Sequence, residues 1–295
     1  MLEEILSTLE AQDIKVLALI EGLRRRFEYV PLDIIESKAR IPPARLSGIL
    51  SKLRSLKLIT MRVGSFTGYS LTFRGLDVLA LHSLKSRGLI LRLGDKIGVG
   101  KEGDVYLAEG PNGLIVVKFH RGGVRGFRKI KRHRGYVEGI QTDWIEYAKL
   151  IGEREYKVML KLNSVGARVP KPLGWSRHAV VQEYVNGVEL YKVKDLDEDT
   201  ALKVLKSIIE TVRLAYIKVG VVHGDLSEYN ILVTAGHEAY VIDWPQYVYV
   251  EDVRAESLLR RDLEYVLRFF RRRFGVVMDP EWVLKYVRGE VSEPT

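Results

Sequence analysis

The chain contains no cysteine. This absence excludes disulfides, thiolate metal sites and cysteine nucleophiles. No segment approaches the roughly 18 consecutive apolar residues that a membrane helix needs, so we expect no membrane partner. The first residues are acidic rather than basic and precede no apolar core, so no signal peptide is visible. These absences predict a cytoplasmic protein, and 295 residues are enough for two domains.

Acidic residues are also missing from two stretches, although charged residues make up 29% of the chain and its net charge is +9. Between Glu36 and Asp77, and again between Arg121 and Arg134, the charged residues are Lys and Arg alone. Basic blocks of this kind are typical of surfaces that contact nucleic-acid phosphates. Two solvated basic faces are the alternative, and the segregation from acids favours nucleic acid.

Residues 1–88 carry the pattern of a winged helix. Apolar residues at helical spacing predict helices over 13–27 and 31–38 and a third that begins at 42, followed by a hairpin over 58–73 and a closing helix over 74–86. The third helix is the candidate reader of nucleic acid. Its basic residues suit phosphates more than bases, and the predicted contacts are Arg45, Lys52 and Arg54. A protein-docking role for this domain is the alternative.

The most informative motif is HGDLSEYN at residues 223–230, with Asp243 at the end of the next predicted strand. In phosphotransferases an Asp such as Asp225 positions or deprotonates the nucleophile. An Asn such as Asn230 and a second Asp hold magnesium against the ATP phosphates. A capping Asp and a turn Asn that only shape a loop are the alternative, which the upstream motifs disfavour.

A glycine-rich motif, GVGKEGDV, occupies residues 98–105. A dinucleotide site shows the same glycines but needs a helix directly after them. Here the pattern is strand, tight turn and strand, so we expect a hairpin that folds over phosphates. Lys118 ends the second strand, where a kinase places the lysine that binds the α and β phosphates. The predicted ATP-binding residues of the hairpin are Gly98, Val99, Gly100, Lys101, Glu102, Gly103 and Val105.

Three further ATP-site residues are predicted from their order along the chain. A kinase pairs its lysine with a glutamate on a helix, and residues 145–162 have helical spacing. Glu153 and Glu155 lie about 200° apart around that helix, so only one can face the lysine, and we expect Glu155. The apolar strand over 180–187 then opens into a loop, where backbone groups of Glu183 and Val185 would bind adenine.

Four segments, GKEGDV, VVKFH, HGDLSEYN and IDWPQ, resemble the Rio family of atypical protein kinases. The winged helix points to its second subfamily, in an archaeal-like form, and the resemblance covers nearly the whole chain. It implies an α+β fold in which a winged helix precedes a minimal bilobal kinase-like domain over 89–295, with a small lobe over about 89–185 and a large lobe over about 186–295.

The same resemblance implies the chemistry. Asp225 is the catalytic Asp, Lys118 the phosphate lysine, and Asn230 and Asp243 the magnesium ligands, with Asp243 able to accept the phosphoryl group as an aspartyl phosphate. Cofactors are ATP and magnesium, with manganese possible. The implied activity is that of a serine/threonine kinase or ATPase in late maturation of the small ribosomal subunit, with the precursor particle and its rRNA as partners. Trp244 replaces the usual phenylalanine and preserves an aromatic ring.

Other residues separate this chain from ordinary protein kinases. Gly224 and Ser227 replace the loop arginine and the lysine near the catalytic Asp. Residues 244–295 are too few to form the helical peptide-binding half of an ordinary large lobe, so we expect free protein substrates to bind poorly. A small-molecule phosphotransferase of the aminoglycoside or choline kinase type is an alternative, disfavoured by the basic winged helix. A non-catalytic nucleic-acid-binding regulator is another, disfavoured by the intact motifs. The phosphate acceptor, the oligomeric state and the choice among RNA, DNA and protein stay open.

Overall fold

A computed structural model describes residues 2–99, 103–121 and 144–292. The chain divides into two compact units, one of residues 1–153 with 174–181 and the other of residues 154–173 with 182–295. The predicted domain boundaries at residues 88 and 185 stay predictions. Residues 122–143, which include most of the second basic block, lie outside the described residues.

The first unit begins with the predicted winged helix. Its hairpin pairs antiparallel, and a third short strand joins it in the order β1-β3-β2. The predicted three helices, hairpin and closing helix are confirmed, while α1 and β1 are too short for periodicity to indicate. The elements are α1 Leu2–Ser7, α2 Ala11–Leu23, β1 Val30–Pro31, α3 Leu32–Ala39, α4 Pro43–Ser55, β2 Ile59–Val63, β3 Thr67–Leu71 and α5 Phe73–Ser86.

Both ends of α5 are closed by local hydrogen bonds. The hairpin was expected to continue through Phe73, but the helix begins there because the Thr72 hydroxyl accepts the Gly75 N–H at 3.1 Å. At the other end Gly88 has φ +70, and its N–H donates to the Lys85 carbonyl at 2.9 Å. The Leu89 N–H reaches the Leu84 carbonyl at 3.0 Å, which completes a Schellman motif. Gly88, the last residue of the predicted winged-helix domain, therefore terminates a helix.

A five-stranded sheet follows, in the order β4-β5-β6-β8-β7. Its buried side chains, among them Val117 and Phe119, join those of the winged helix, such as Leu17 and Val30, in one contiguous cluster. The winged helix and this sheet therefore share a core. The strands are β4 Arg92–Val99, β5 Gly103–Gly110, β6 Gly113–His120, β7 Pro172–Ser176 and β8 Ala179–Glu183, and helix α6 spans Trp144–Ser164.

The second unit is built on helices packed around Trp244 and Phe270, which are fully buried. Basic and aliphatic residues alternate near 257–273, which predicts a helix there, and a shorter helix is predicted near 279–288. Both helices are confirmed. No helix in the described part of the chain is both long and apolar enough to span a bilayer. The elements are β9 Gly187–Glu189, α7 Glu198–Leu214, β10 Val221–Val222, β11 Ile231–Thr234, β12 Ala239–Val241, β13 Val248–Tyr249, α8 Ala255–Phe274 and α9 Pro280–Arg288.

Candidate active site

The loop that carries Asp225 is anchored by the buried ring of His223. Its Nε2 lies 3.0 Å from the Ile242 carbonyl oxygen, and its Nδ1 accepts the Asp225 N–H at 3.2 Å. The ring also packs against Trp244, with 4.6 Å between ring centroids. His223 therefore ties the loop of Asp225 to the chain on either side of Asp243.

A second anchor comes from α8. Asp262, only 1% exposed, accepts the Gly224 N–H at 2.8 Å. Arg261 donates to the Gly224 carbonyl at 2.6 Å and to Asp262 at 3.0 Å. Gly224 has φ +79, and a Cβ there would lie 3.0 Å from the Gln246 carbonyl oxygen. The position that holds arginine in ordinary kinases therefore requires glycine here.

Sequence reasoning did not find Asp262 or Arg261. The available signal was an acid on the apolar stripe of a helix, since Asp262 shares its buried face with Leu259, Leu263 and Val266. A buried carboxylate needs hydrogen-bond donors, and the loop before Asp225 supplies one.

The two predicted magnesium ligands are brought together by the β11–β12 ladder. Ile231 pairs with Val241, and the Ile242 N–H donates to the Asn230 carbonyl at 2.9 Å. The Asn230 side-chain NH₂ donates to the Asp225 carbonyl at 2.8 Å, which leaves its amide oxygen as the atom able to bind a cation. Asn230 and Asp243 therefore flank adjacent strand ends, next to the loop of Asp225.

Asp243 has a backbone conformation that L-residues rarely adopt, with φ +67. Such a conformation costs roughly 1–3 kcal/mol and persists where the surrounding structure imposes it, often at functional sites. Here the surrounding structure is the buried ring of Trp244, whose indole N–H donates to the Val241 carbonyl at 3.1 Å.

The donor set fits magnesium bound together with a nucleotide. Mg²⁺ prefers oxygen ligands and usually takes one or two carboxylates along with phosphates and water. Among the described residues no group of three or more His, Cys, Asp or Glu side chains could hold a metal ion. Asn230 and Asp243 would therefore need phosphate oxygens to complete the coordination.

The pKa of Asp225 is raised above its ordinary value. The main cause is desolvation by the protein around it, although Asp225 is still an exposed residue. The negative charge of Asp243 acts in the same direction, and His223 opposes it. A raised pKa makes a carboxylate a better proton acceptor, which suits a catalytic base.

The glycine-rich strands and Lys118 belong to the first unit. The register places Gly98 opposite Val105, and Val105 opposite Lys118, in three neighbouring strands. Directly opposed residues share a face of the sheet, so Val105 and Lys118 project on the same side. A Cβ on Gly103 would lie 2.5 Å from the Phe119 carbonyl oxygen, so close strand packing requires this glycine. The predicted residues Gly100, Lys101 and Glu102, and the side chain of Val99, lie outside what the structure describes.

On α6 the structure distinguishes the two candidate glutamates. Glu155 is 1% exposed, whereas Glu153 is only partly buried. Glu155 is therefore the inward-facing residue, and its pairing with Lys118 stays a prediction.

The two adenine-binding residues differ in which backbone groups are already used. The Glu183 N–H donates to the Lys171 carbonyl at 2.9 Å, and its carboxylate accepts the Lys171 N–H at 2.9 Å. The Val185 carbonyl accepts the Gly187 N–H at 2.9 Å. The Val185 N–H makes no hydrogen bond within the described part of the chain, so it is the donor that adenine could use.

The three basic residues predicted to contact nucleic acid differ in their surroundings. Arg45 and Arg54 are exposed, and Arg45 lies 3.4 Å from the exposed carboxylate of Glu10. The Lys52 ammonium instead donates to the buried carboxylate of Asp13 at 2.5 Å and to the Thr8 carbonyl at 2.7 Å. Lys52 therefore has a structural role in the domain, and contacts from all three to nucleic acid stay predictions.

Comparisons with known proteins match both parts of the chain. A model of the RIO domain matches residues 104–283, and a model of the Rio2 N-terminal domain matches residues 6–87. The RIO-type serine/threonine-protein kinase Rio2 of Methanocaldococcus jannaschii is 38% identical over 256 residues, covering 84% of this chain and 92% of that protein. The serine/threonine-protein kinase rio2 of Schizosaccharomyces pombe is 35% identical over 270 residues, covering 90% and 77%.

Among solved structures, the Rio2 kinase from Chaetomium thermophilum in its ADP/Mg²⁺-phosphoaspartate complex superposes with a TM-score of 0.82 at 30% identity, covering 98% of this chain and 89% of that chain. A second structure of the Rio2 kinase from the same organism gives a TM-score of 0.79. The resemblance inferred from the motifs and the predicted fold class are thus confirmed. The chain belongs to the Rio2 family of serine/threonine-protein kinases.

Proposed function

We propose that this kinase binds ATP with magnesium and uses it as a phosphotransferase or ATPase switch on precursors of the small ribosomal subunit. The observation that carries the proposal is the convergence of Asp225, Asn230 and Asp243 at one loop and two adjacent strand ends, with the loop held by His223 and Asp262. Asn230 and Asp243 would hold a magnesium ion, which would supply positive charge against the phosphates. Lys118 is proposed to bind the α and β phosphates.

We further propose Asp243 as the phosphoryl acceptor. One of its carboxylate oxygens bonds to the γ-phosphorus while the bond from that phosphorus to the bridging oxygen breaks, and ADP leaves with the electron pair. Water then hydrolyses the acyl phosphate, with Asp225 accepting the proton from the attacking water. The phosphoaspartate named in the Chaetomium thermophilum complex supports the first step, as does the strained backbone of Asp243.

The chemistry of the label from γ-labelled ATP tests this proposal. An aspartyl phosphate should survive acid and be released by hydroxylamine or alkali, and Asp243→Asn should accept none. Asp225→Ala should slow label turnover by about 10²–10⁴ while ATP affinity stays within a few-fold. Label that resists hydroxylamine would lie on a hydroxyl group, and the aspartyl phosphate proposal would fail. Wild-type single-turnover rates in Asp225→Ala would show that its role is wrongly assigned.

The winged helix is proposed to bind the rRNA of the precursor particle through phosphate contacts. The proposal is supported by the acid-free basic block between Glu36 and Asp77 and by the exposure of Arg45 and Arg54. Lys52 is unsuitable for testing, because its reversal would remove the ion pair of the buried Asp13 carboxylate and place a second acid beside it.

The sharper variant is therefore Arg45→Glu with Arg54→Glu. Binding to structured rRNA should weaken for all sequences alike, since phosphate contacts position without specifying. The slope of log affinity against log salt should fall by about 0.9 for each phosphate that the variant no longer neutralises. Lys203→Glu with Lys285→Glu, two exposed positions elsewhere, is the matched control for net charge. Unchanged binding at several salt concentrations in the first variant would remove the winged helix from the RNA interface.

A further inference from the structure

A groove of about 230 Å³ lies on the second unit, beside the loop that carries Asp225. One wall is Glu228, three residues after Asp225, and the rest is one side of α8. The groove is lined by Glu228, Tyr265, Arg268, Phe269, Arg272 and Arg273. None of these residues takes part in the chemistry proposed above.

Two exposed tyrosines extend the groove at its Glu228 end. The Tyr191 N–H donates to the Glu228 carbonyl at 3.2 Å, and the rings of Tyr191 and Tyr229 lie 4.8 Å apart. Arg273 donates to the Val193 carbonyl at 3.3 Å, which joins the end of α8 to the same segment. We call the groove together with Tyr191, Lys192 and Tyr229 the aromatic–basic surface.

The arginines of α8 divide by what they contact. Arg260 pairs with Glu281, and Arg261 holds the Gly224 carbonyl. Arg268, Arg271 and Arg272 make no ion pair with any residue in the ranges that the structure describes. Cations at a helix C-terminus interact favourably with the helix dipole, which accounts for part of this cluster. The dipole does not account for the exposed aromatic rings beside it.

Those rings are open to solvent and lie next to cations. Tyr229 is 59% exposed, Tyr191 41% and Tyr265 39%. The Arg268 guanidinium lies 4.9 Å from the Tyr265 ring centre, and the Lys192 ammonium 5.3 Å from that of Tyr191. Aromatic faces interleaved with cations provide stacking for bases and charge for phosphates, which is how proteins bind single-stranded nucleic acid.

The size of the groove indicates the kind of ligand. Pockets for whole small molecules measure about 300–1,000 Å³, so 230 Å³ suits one unit of an extended ligand. A phosphorylated peptide would use the arginines but would leave the tyrosine faces without partners. An RNA strand uses both.

We propose that the aromatic–basic surface binds a segment of single-stranded RNA beside the catalytic loop. The site is distinct from the winged helix, and it rests on the proposed function only in taking RNA as the partner. Bases stack on the tyrosines, and Arg268 and Arg272 contact the phosphates between them.

Fluorescence anisotropy of the full chain with a labelled single-stranded RNA of about 12 nucleotides tests the proposal, since such sites span about 4–16 nucleotides. Tyr265→Ala should weaken binding by roughly 5- to 100-fold, the range of base stacking on an aromatic ring. Tyr265→Phe should restore it, because stacking needs the ring and not the hydroxyl. Arg268→Gln with Arg272→Gln should lower the salt slope by about 0.7 for each phosphate that the variant no longer neutralises. Arg271→Gln is the matched control, since Arg271 lies on α8 outside the groove lining.

The result that supports the proposal is weaker binding in Tyr265→Ala and in the double variant, with Arg271→Gln and Tyr265→Phe like wild type and all variants melting normally. Wild-type RNA affinity in the groove variants, with weakened binding in Arg45→Glu with Arg54→Glu, would overturn the proposal and leave the winged-helix interface standing. Wild-type RNA affinity in the groove variants and in Arg45→Glu with Arg54→Glu would overturn both the groove proposal and the winged-helix interface. If the groove variants lost affinity for a labelled phosphoserine peptide but bound RNA normally, the groove would be assigned to phosphorylated protein. That result would also overturn the RNA proposal.

Discussion

The role proposed for Asp225 as a catalytic base opposes the stability of the fold. Its carboxyl has a pKa raised chiefly by desolvation, so it holds a proton to higher pH in the folded than in the unfolded chain. As the pH rises from about 3.9, the pKa of Asp225 in the unfolded chain, through the raised pKa in the folded chain, its ionisation lowers the free energy of unfolding. Above the folded-state pKa this destabilisation is fully present.

Asp225→Asn should accordingly raise Tm at pH 7 while it slows hydrolysis of the aspartyl phosphate by about 10²–10⁴. The gain in Tm should shrink as the pH falls from 7 toward 4, because the wild-type carboxyl takes up its proton as the pH falls through the raised pKa. Calorimetry at the two pH values measures both. Asp197→Ala is the opposite control, because Thr200 lowers the pKa of Asp197 by donating from its N–H and hydroxyl. That variant should lower Tm at pH 7. A lower Tm in Asp225→Asn would contradict the argument.

Asp262 contacts the loop of Asp225 through the backbone of Gly224, so we expect it to be a positioning residue for the proposed reaction. Asp262→Ala removes the acceptor for the Gly224 N–H, and the loop of Asp225 should shift. Displacements of about 1 Å cost on the order of 10²-fold in rate. We expect kcat to fall by that order with the KM for ATP nearly unchanged, and Asp262→Asn, which keeps one acceptor oxygen, to recover much of the loss.

Steady-state kinetics separate this positioning role from general damage to the fold, which would change kcat and KM together. Glu264→Ala, an exposed acid on the same helix, serves as the control and should behave as wild type. A rise in KM at constant kcat for Asp262→Ala would contradict the positioning role.

At the level of elements, α5 is joined to the sheet by a buried polar network. Asp77 on α5 accepts two hydrogen bonds from Arg121, at 2.5 and 2.8 Å, and lies 2.7 Å from His178 Nε2. Arg121 also bonds Asp104 on β5 at 2.9 Å. Burial would raise the pKa of Asp77, but the bonds from His178 and Arg121 outweigh it and hold this pKa low. Burial lowers the pKa of His178. The hydrogen bond and the negative charge of Asp77 act in the opposite direction, and electrostatic interactions with Arg121 and His120 lower this pKa further.

The signs of these shifts predict two steps of acid destabilisation. The unfolded chain protonates histidine near pH 6.5 while buried His178 resists, so stability falls as the pH drops below that value. Asp77 stabilises the fold above about pH 3.9 and loses this contribution as the pH falls through its lowered pKa. His178→Gln should lower Tm at pH 7 and flatten its decline between pH 7 and 5. His82→Gln, on the same helix as Asp77, should leave the decline unchanged, and a full decline in His178→Gln would refute this assignment.

Across the first unit, the contiguous core predicts that the winged helix and the sheet unfold together. Leu17→Ala removes a fully buried side chain of α2 and should cost about 2–5 kcal/mol. Hydrogen exchange should show that destabilisation at amides of β5 and β6 as well as in the winged helix. Val63→Ala, a solvent-exposed change on the hairpin, is the control. Lowered protection confined to residues 2–88 would show that the winged helix opens independently.

The sequence alone determined the order of elements and the identity of the catalytic motifs. Helical spacing located α2, α4 and α6 because each has an apolar stripe that must be buried, and that signal is local. The spacing of Asp225, Asn230 and Asp243 was readable for a similar reason, since a loop and two adjacent strand ends bring them together within a short stretch of chain.

Tertiary structure decided what depends on residues far apart in sequence. No local sequence pattern predicts the hydrogen bond from Gly224 to Asp262 or the ion pair between Lys52 and Asp13. The same holds for the core that the winged helix shares with the sheet. The left-handed backbone of Asp243 belongs to the same class, because the surrounding packing holds it there. Such interactions are chosen by the free energy of burying charges and close-packing side chains, which is settled only when the whole chain has folded.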